Sequence, residues 1–443
     1  MGWKKRTSVI PYMFKIFRWE RPAAAGKSRK AMTQNSTLWK RNLLMLWLSQ
    51  LLVMAGFAAM SPFVPLFMKD AMGIVDEREL AMDVSLFNLF GTMAYAIFCP
   101  IWGKLSDRFG TKPMLLRGTF VTAFFFPMMG YAPNAGWLIA LRFLTAACAG
   151  TTAASQIMVA RNTPDDRQGF AQGVLSTAIW GGAMLGNVIG GLIIDGYGYR
   201  AAFWFCGILY FIAGFAILLT HDGFAPQFQQ LLHRAHGSHR LVPWPLPEFT
   251  IAVWSLLVLF LVMGLVRSIE APFVALKVEQ ITSAAKASYW TGIVSAVVCG
   301  GTIATGVFTG YLADALPPKK LLVPVMLISA AALWAQGFTG SLTVFTVSRT
   351  VLYMAGGALA PILQKSLSTR TPKRKRGASF GFSSLSGSVG GMLAAMAGGW
   401  SMILFRLNGV FYVGAVLHIL AIPLFIRLLD LALEPRGFSR RRH

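Results

Sequence analysis

The chain has 443 residues, 55% hydrophobic and only 13% charged, with 41 Lys and Arg against 17 Asp and Glu for a net charge of +24. That balance excludes an ordinary soluble domain, in which about a quarter of the residues carry charge. It also excludes a disulfide scaffold, because the four cysteines, Cys99, Cys148, Cys206 and Cys299, fall in or beside apolar runs and read as small hydrophobes.

Residues 1–30, MGWKKRTSVIPYMFKIFRWERPAAAGKSRK, mix Tyr12, Phe14, Ile16, Phe17 and Trp19 with Lys and Arg and lack the continuous apolar stretch of a signal peptide. Two readings stand for them: a basic segment lying on an anionic membrane surface, or dispensable residues ahead of a functional start at Met32. Apolar runs bounded by charge, Gly or Pro then predict twelve helices, at about 41–67, 81–101, 114–131, 137–160, 169–194, 201–219, 249–276, 288–311, 320–337, 342–365, 377–400 and 405–427. About 20 apolar residues cross the hydrocarbon core as a helix, and the alternating ten-residue segments of a barrel are absent. The expected fold is an all-α polytopic membrane protein whose environment is the lipid bilayer.

An even number of spans puts both termini on one side. On this map the far-side loops carry only Lys69, Arg78, Arg200, Lys277, Lys286 and Arg406, while Arg142, Arg267 and Arg349 lie inside spans; the remaining 32 of the 41 basic residues share the near face with the termini. The positive-inside rule makes that face cytoplasmic, and it explains KRKR at Lys373–Arg376 without invoking nucleic acid. The expected organisation is a basic cytoplasmic segment (1–40), six helices (41–219), a cytoplasmic linker (220–248), six more helices (249–427) and a basic cytoplasmic tail (428–443).

The two sets of six repeat each other. GKLSD at Gly103 recurs as GYLAD at Gly310 and Arg142 as Arg349, both at an offset of 207; Gly190-Gly191 recur as Gly398-Gly399 at 208, and SPFVPLF at Ser61 as APFVALK at Ala271 at 210. A near-constant offset describes two parallel six-helix halves, which can rock against each other about a central site near the bilayer midplane.

GKLSDRFGTKP, with Gly103, Leu105, Asp107, Arg108, Gly110 and Lys112 between the second and third spans, resembles the signature of the major facilitator superfamily. The resemblance runs from about Trp39 to Arg427. It implies the twelve-helix fold of that family, and a cytoplasmic latch in which Asp107 sits at the N-terminus of the eleventh helix, near Gly377. AGFAAMSPFVP in the first span, with Gly56, Pro62 and Pro65, resembles the pattern of twelve-helix drug:proton antiporters; a plain helix end at two prolines is the other reading. GGAMLGNVIGG in the fifth span, with Gly182, Gly186, Gly190 and Gly191, resembles the antiporter motif, but Asn187 stands where that motif has proline, and close helix packing accounts for the same glycines. In the fourth span only Arg142 carries over from the exporters' motif. The resemblance gives it a part in proton handling or substrate contact, against a structural bond between helices.

Proton coupling requires an ionisable group inside the membrane. Glu270 in the seventh span is the best-placed acid, with Asp83 at the outer start of the second span next. Burial and the Arg267 guanidinium three residues before Glu270 pull its protonation in opposite directions. The pair therefore reads either as a proton site tuned by Arg267 or as a standing salt bridge. No phosphate-binding loop, dinucleotide fingerprint, metal-ligand spacing or nucleophile–base pair appears, so neither a cofactor nor an enzymatic activity is expected. The expected function is proton-driven efflux of amphiphilic, drug-like molecules across a bacterial inner membrane by a monomer whose partners are its small-molecule substrate, protons and lipid. The alternatives are a facilitator or symporter for an anionic metabolite, siderophore or lysolipid, favoured if Arg142, Arg267 and Arg349 all face the cavity, and a non-transporting receptor or sensor on the same frame.

Overall fold

The computed structural model describes residues 29–164, 167–220, 249–315, 318–356, 359–371 and 376–433. Most of the basic N-terminal segment, the linker and most of the C-terminal tail lie outside the described residues. Residues 1–41 form one unit, helical from Arg29 where described, and Asn42–His443 form a second.

Among the described residues, eight helical segments are long and apolar enough to cross a membrane. Two of these, Phe170–Leu218 and Ser379–Ala432, have 49 and 54 residues, about twice what a bilayer needs. Each breaks once, at Gly198 (φ 80°) and at Arg406 (φ 58°), so each is a pair of spans. The helix Thr111–Met129 and the pair Leu342–Gly356 and Leu359–Arg370 supply the other two, for twelve spans in two pseudo-symmetric bundles of six.

The internal repeat extends to the backbone. The first span stops at Ala58, makes a 3-10 turn at Ser61–Phe63 and resumes over Val64–Asp70; the seventh stops at Ser268, turns at Ala271–Phe273 and resumes over Val274–Ile281. Pro62 and Pro272 open those turns, where a missing N–H costs nothing because no earlier carbonyl awaits it. The fourth span, expected to be continuous over 137–160, is two helices, Ala135–Cys148 and Thr151–Asn162, parted at Gly150, whose φ of 113° only glycine adopts freely. The second span, expected to end near 101, continues as helix to Phe109 and stops at Gly110 (φ 96°), so the GKLSDR stretch is a helical extension and not a loop.

Glycine sets the spacing within each half. A Cβ at Gly182, Gly186 or Gly190 of the fifth span would overlap the backbone carbonyls of Leu51, Ala55 and Ala59 in the first, a ladder at four-residue steps. Gly390 and Gly398 of the eleventh span meet Leu261 and Ile269 of the seventh in the same way. Without a hydrophobic force between helices in lipid, such close backbone approach supplies the packing energy. The halves meet through a second symmetric pair of contacts: Gly191 on Ser288 of the eighth span, and Gly399 on Ala81 and Ser85 of the second. Aromatic and aliphatic side chains such as Phe211, Phe215, Trp204, Trp400, Leu404 and Leu420 remain exposed on the outside, as a lipid-facing surface requires.

Candidate functional site

A cavity of about 660 Å³ lies between the halves, walled by spans one, two, five, seven, eight, ten and eleven. Apolar groups (Phe57, Pro62, Pro65, Val298) alternate with amides and hydroxyls (Asn88, Thr92, Asn187, Ser295, Ser384, Ser388), and Arg349 is the one charged side chain among its lining residues. The cavity is closed at the end away from Gly110. There one apolar cluster draws on both halves, with Phe63, Phe67 and Met68 beside Phe273, Leu276 and Met402, whereas the other large clusters among the described residues each stay within one half. Lys69 Nζ meets Glu279 Oε1 at 2.6 Å across this closed end, and the Tyr199 hydroxyl donates to Asp70 Oδ2 at 2.6 Å.

Arg349 organises the cavity wall. Its Nη1 lies 3.4 Å from Glu270 Oε1 and 3.5 Å from Gln336 Oε1, and Nη2 donates to the Tyr353 hydroxyl at 3.3 Å. Glu270 is fully buried, and its Oε2 has no partner among the described residues. The sequence pairs Glu270 with Arg267; the structure pairs it with Arg349. The reason is local. The seventh helix stops at Ser268, so Glu270 sits at the cap of the following turn, and Arg267, still on the regular helix, points elsewhere, with its guanidinium 5.9 Å from the Tyr353 ring centroid.

The other candidate residues scatter. Arg142 is packed between the rings of Phe57 and Phe87, 5.2 and 5.4 Å from their centroids, in space left by Gly91. It is not among the residues lining the cavity, and its Nε has no partner among the described residues. Asp83 is half-buried, one turn after Glu79, and is likewise not in the lining. Asn187 lines the cavity and donates to Cys299 Sγ at 3.7 Å, while Pro62 and Pro65 line it at the first-span turn. Gly56 lies against the Tyr210 ring of the sixth span.

In the signature stretch, Gly110 caps the second span through its N–H to the Ser106 carbonyl at 3.0 Å, and Leu105 is half-buried. Lys112 Nζ donates to the carbonyls of Leu218 and Thr220 at 2.8 and 2.7 Å, satisfying the C-terminus of the sixth span and complementing its dipole. Gly103 lies on the helical extension of the second span, while the side chains of Asp107 and Arg108 lie outside the described residues, and so does the expected Asp107 latch. Lys277, expected in an outer loop, is instead buried in Val274–Ile281, where Nζ donates to Asn408 Oδ1 at 2.7 Å and Gln280 Oε1 at 3.3 Å. The sequence reading missed Tyr353, Gln336 and His418. Each is a polar side chain inside an apolar run, and Tyr353 stands one helical turn after Arg349, which was the available signal.

The family model described as Major Facilitator Superfamily matches residues 46–279 and again 256–442. The chain belongs to the major facilitator superfamily. The first match covers the N-terminal half and runs on into the seventh span, and the second covers the C-terminal half. This superfamily transporter is 28% identical over 381 residues to the multidrug resistance protein MdtG of Enterobacter lignolyticus, covering 85% of this chain and 90% of that one. A multi-drug resistance efflux pump PmrA homolog from Lactococcus lactis is 27% identical over 369 residues, covering 81% and 88%. Among solved structures, the D-xylose–proton symporter superposes with a TM-score of 0.70 at 13% identity over 89% of this chain and 97% of that one. A bacterial homolog of the human lysosomal transporter Spinster gives 0.65 at 15% identity over 92% and 97%. At these identities both structures speak to the fold alone.

Proposed function

We propose that this transporter exports amphiphilic, drug-like molecules in exchange for protons, by alternating access, across a bacterial inner membrane, as a monomer with both termini cytoplasmic. The observation that carries the reading is the Glu270–Arg349 pair, a carboxyl with no exposure held by the one charged residue lining the central cavity. A proton arriving at Glu270 frees Arg349, and a departing proton restores the pair, so protonation changes the charge that the cavity wall presents to a substrate. With the Gly110 end cytoplasmic, the closed end faces outward. The two relatives named above are described as a multidrug resistance protein and a multi-drug efflux pump, which supports efflux as the direction. An anion facilitator is less well supported, since Arg349 alone of the three intramembrane arginines is among the cavity's lining residues.

The test is proton movement in proteoliposomes holding the intact protein or Glu270→Gln, with ethidium as a lipophilic cation and fluorescein as an amphiphilic anion added in turn. Proton flux driven by either compound in the intact protein, abolished in a Glu270→Gln variant that still binds it, is the expected result. Substrate movement without proton flux overturns proton coupling and leaves a facilitator.

A further inference from the structure

Behind the central cavity, a second cavity of about 10 Å³, room for a single water, lies inside the C-terminal half. Its polar lining comes from four spans: Arg267 of the seventh, Ser329 of the ninth, Tyr353 of the tenth and His418 of the twelfth. Tyr353 is the residue common to the linings of both cavities. On one side its hydroxyl accepts from Arg349, the partner of Glu270; on the other it shares the small cavity with His418. His418 is 3% exposed, and its Nδ1 lies 2.8 Å from the Gly414 carbonyl one turn earlier. Nδ1–H therefore donates to that carbonyl, and the neutral ring keeps a lone pair on Nε2.

The other half shows that the fold does not demand these groups. At the repeat offsets of 207 to 210 residues, Arg267, Glu270, Tyr353 and His418 correspond to Phe57, Met60, Ala146 and Tyr210. The same bundle closes there with neither a carboxyl nor an imidazole. A buried histidine in a membrane span is expensive where an apolar side chain would pack, and such residues mark proton and ion routes.

We propose that His418 is the proton-exchange partner of Glu270, reached through the Tyr353 hydroxyl and one water in the small cavity. This rests on the proton-coupled reading above and adds the route. In the transfer the Glu270 O–H bond breaks and an Nε2–H bond forms on His418, while the Tyr353 hydroxyl and the water each pass on one proton and receive one. The carboxylate left behind keeps Arg349 as its counter-ion, and the Gly414 carbonyl supports the imidazolium. Among the described residues, the charged or titratable groups facing His418 are Arg267 from the seventh span and Tyr353 from the tenth; the ninth offers only neutral Ser329. The route also spares the proton a passage through the cavity that holds substrate.

The experiment needs no transported compound. The full chain in lipid is given a rapid pH jump, and the carboxylic-acid band of Glu270, identified by its loss in Glu270→Gln, is followed by time-resolved infrared spectroscopy. His418→Gln and, separately, Tyr353→Phe, which removes one hydroxyl and keeps the ring, are expected to slow the appearance of that band about tenfold or more while leaving its final amplitude intact. A purely structural role would change amplitude and thermal stability without this selective slowing. Unchanged rates in both variants overturn the relay and leave proton coupling at Glu270 standing. Absence of the band in the intact protein overturns the coupling reading, and the relay falls with it.

Discussion

Arg142 and Arg349 hold the same place in their respective halves, yet one rests on the faces of two phenylalanines and the other on a carboxylate. Around Arg349 the C-terminal half gathers Glu270, Tyr353 and Gln336, with Arg267 and His418 close behind. Around Arg142 the N-terminal half offers Phe57 and Phe87, with Met60 where Glu270 would be. Both halves keep the broken first helix of the repeat, the glycine ladder and the cross-half glycine contacts. The repeat thus conserves a mechanical frame, while ionisable chemistry is concentrated on one side of it.

The sharpest way to break this comparison is to remove each arginine. Arg349→Met leaves the Glu270 carboxylate buried without its counter-ion, which costs about 3–5 kcal/mol. Arg142→Met leaves no carboxylate behind among its described neighbours and forfeits only cation–π contacts of about 0.5–2 kcal/mol. Chemical unfolding of the two variants in detergent should therefore separate them by several kcal/mol. Adding Glu270→Gln to Arg349→Met should recover most of the stability without restoring transport. Equal losses for the two arginines would mean that the halves do not differ in the way their geometry implies.

Much of the frame was legible in the sequence because apolar run length and a duplicated pattern are local and periodic. The repeat offset was visible in GKLSD and GYLAD, and the turns after Ala58 and Ser268 fall on the matching SPF and APF stretches. The site was less legible. Glu270 and Arg349 are 79 residues apart, and nothing local announces that they meet. The tempting neighbour, Arg267, is placed by helical spacing only if the helix continues, and it ends first. Lys277 reads as a loop cation because a charge ordinarily ends an apolar run; in the structure its amine is accommodated by the side-chain oxygens of Asn408 and Gln280.

A middle-sized effect concerns the ladder itself. Gly186 meets the Ala55 carbonyl so closely that a methyl group there would overlap it, but its repeat counterpart is Ala394, which is fully buried and accommodated. The first and fifth spans therefore approach more tightly at this rung than the seventh and eleventh. Gly186→Ala should cost about 1–3 kcal/mol as the two helices are forced apart. Ala394→Gly opens a space one methyl wide and should cost about 1 kcal/mol or less. Thermal unfolding of the two purified variants reads the difference, and a tolerated Gly186→Ala would mean that the ladder is looser than its geometry.

The smallest expected effect lies on the symmetry axis. Lys69 and Glu279 are repeat counterparts, 210 residues apart, and they meet each other. A position that contacts its own counterpart sets like charges together if the two halves carry the same residue, so opposite charges here require the halves to have diverged. With the Lys69 side chain 41% exposed, the pair contributes about 1 kcal/mol or less to holding this end shut. Glu279→Gln should then raise the population open at this end by up to about fivefold. The measurement is labelling of cavity-lining Cys299 by an impermeant maleimide added from that side, with Cys99, Cys148 and Cys206 replaced by alanine. Salt should accelerate labelling of the intact protein, by screening the half-exposed pair, more than that of the variant. Exchanging the two residues, Lys69→Glu with Glu279→Lys, should return labelling to its original rate. If the exchanged protein labels as fast as Glu279→Gln, the closure rests on the apolar cluster around Phe63 and Phe273 and owes nothing to the ion pair.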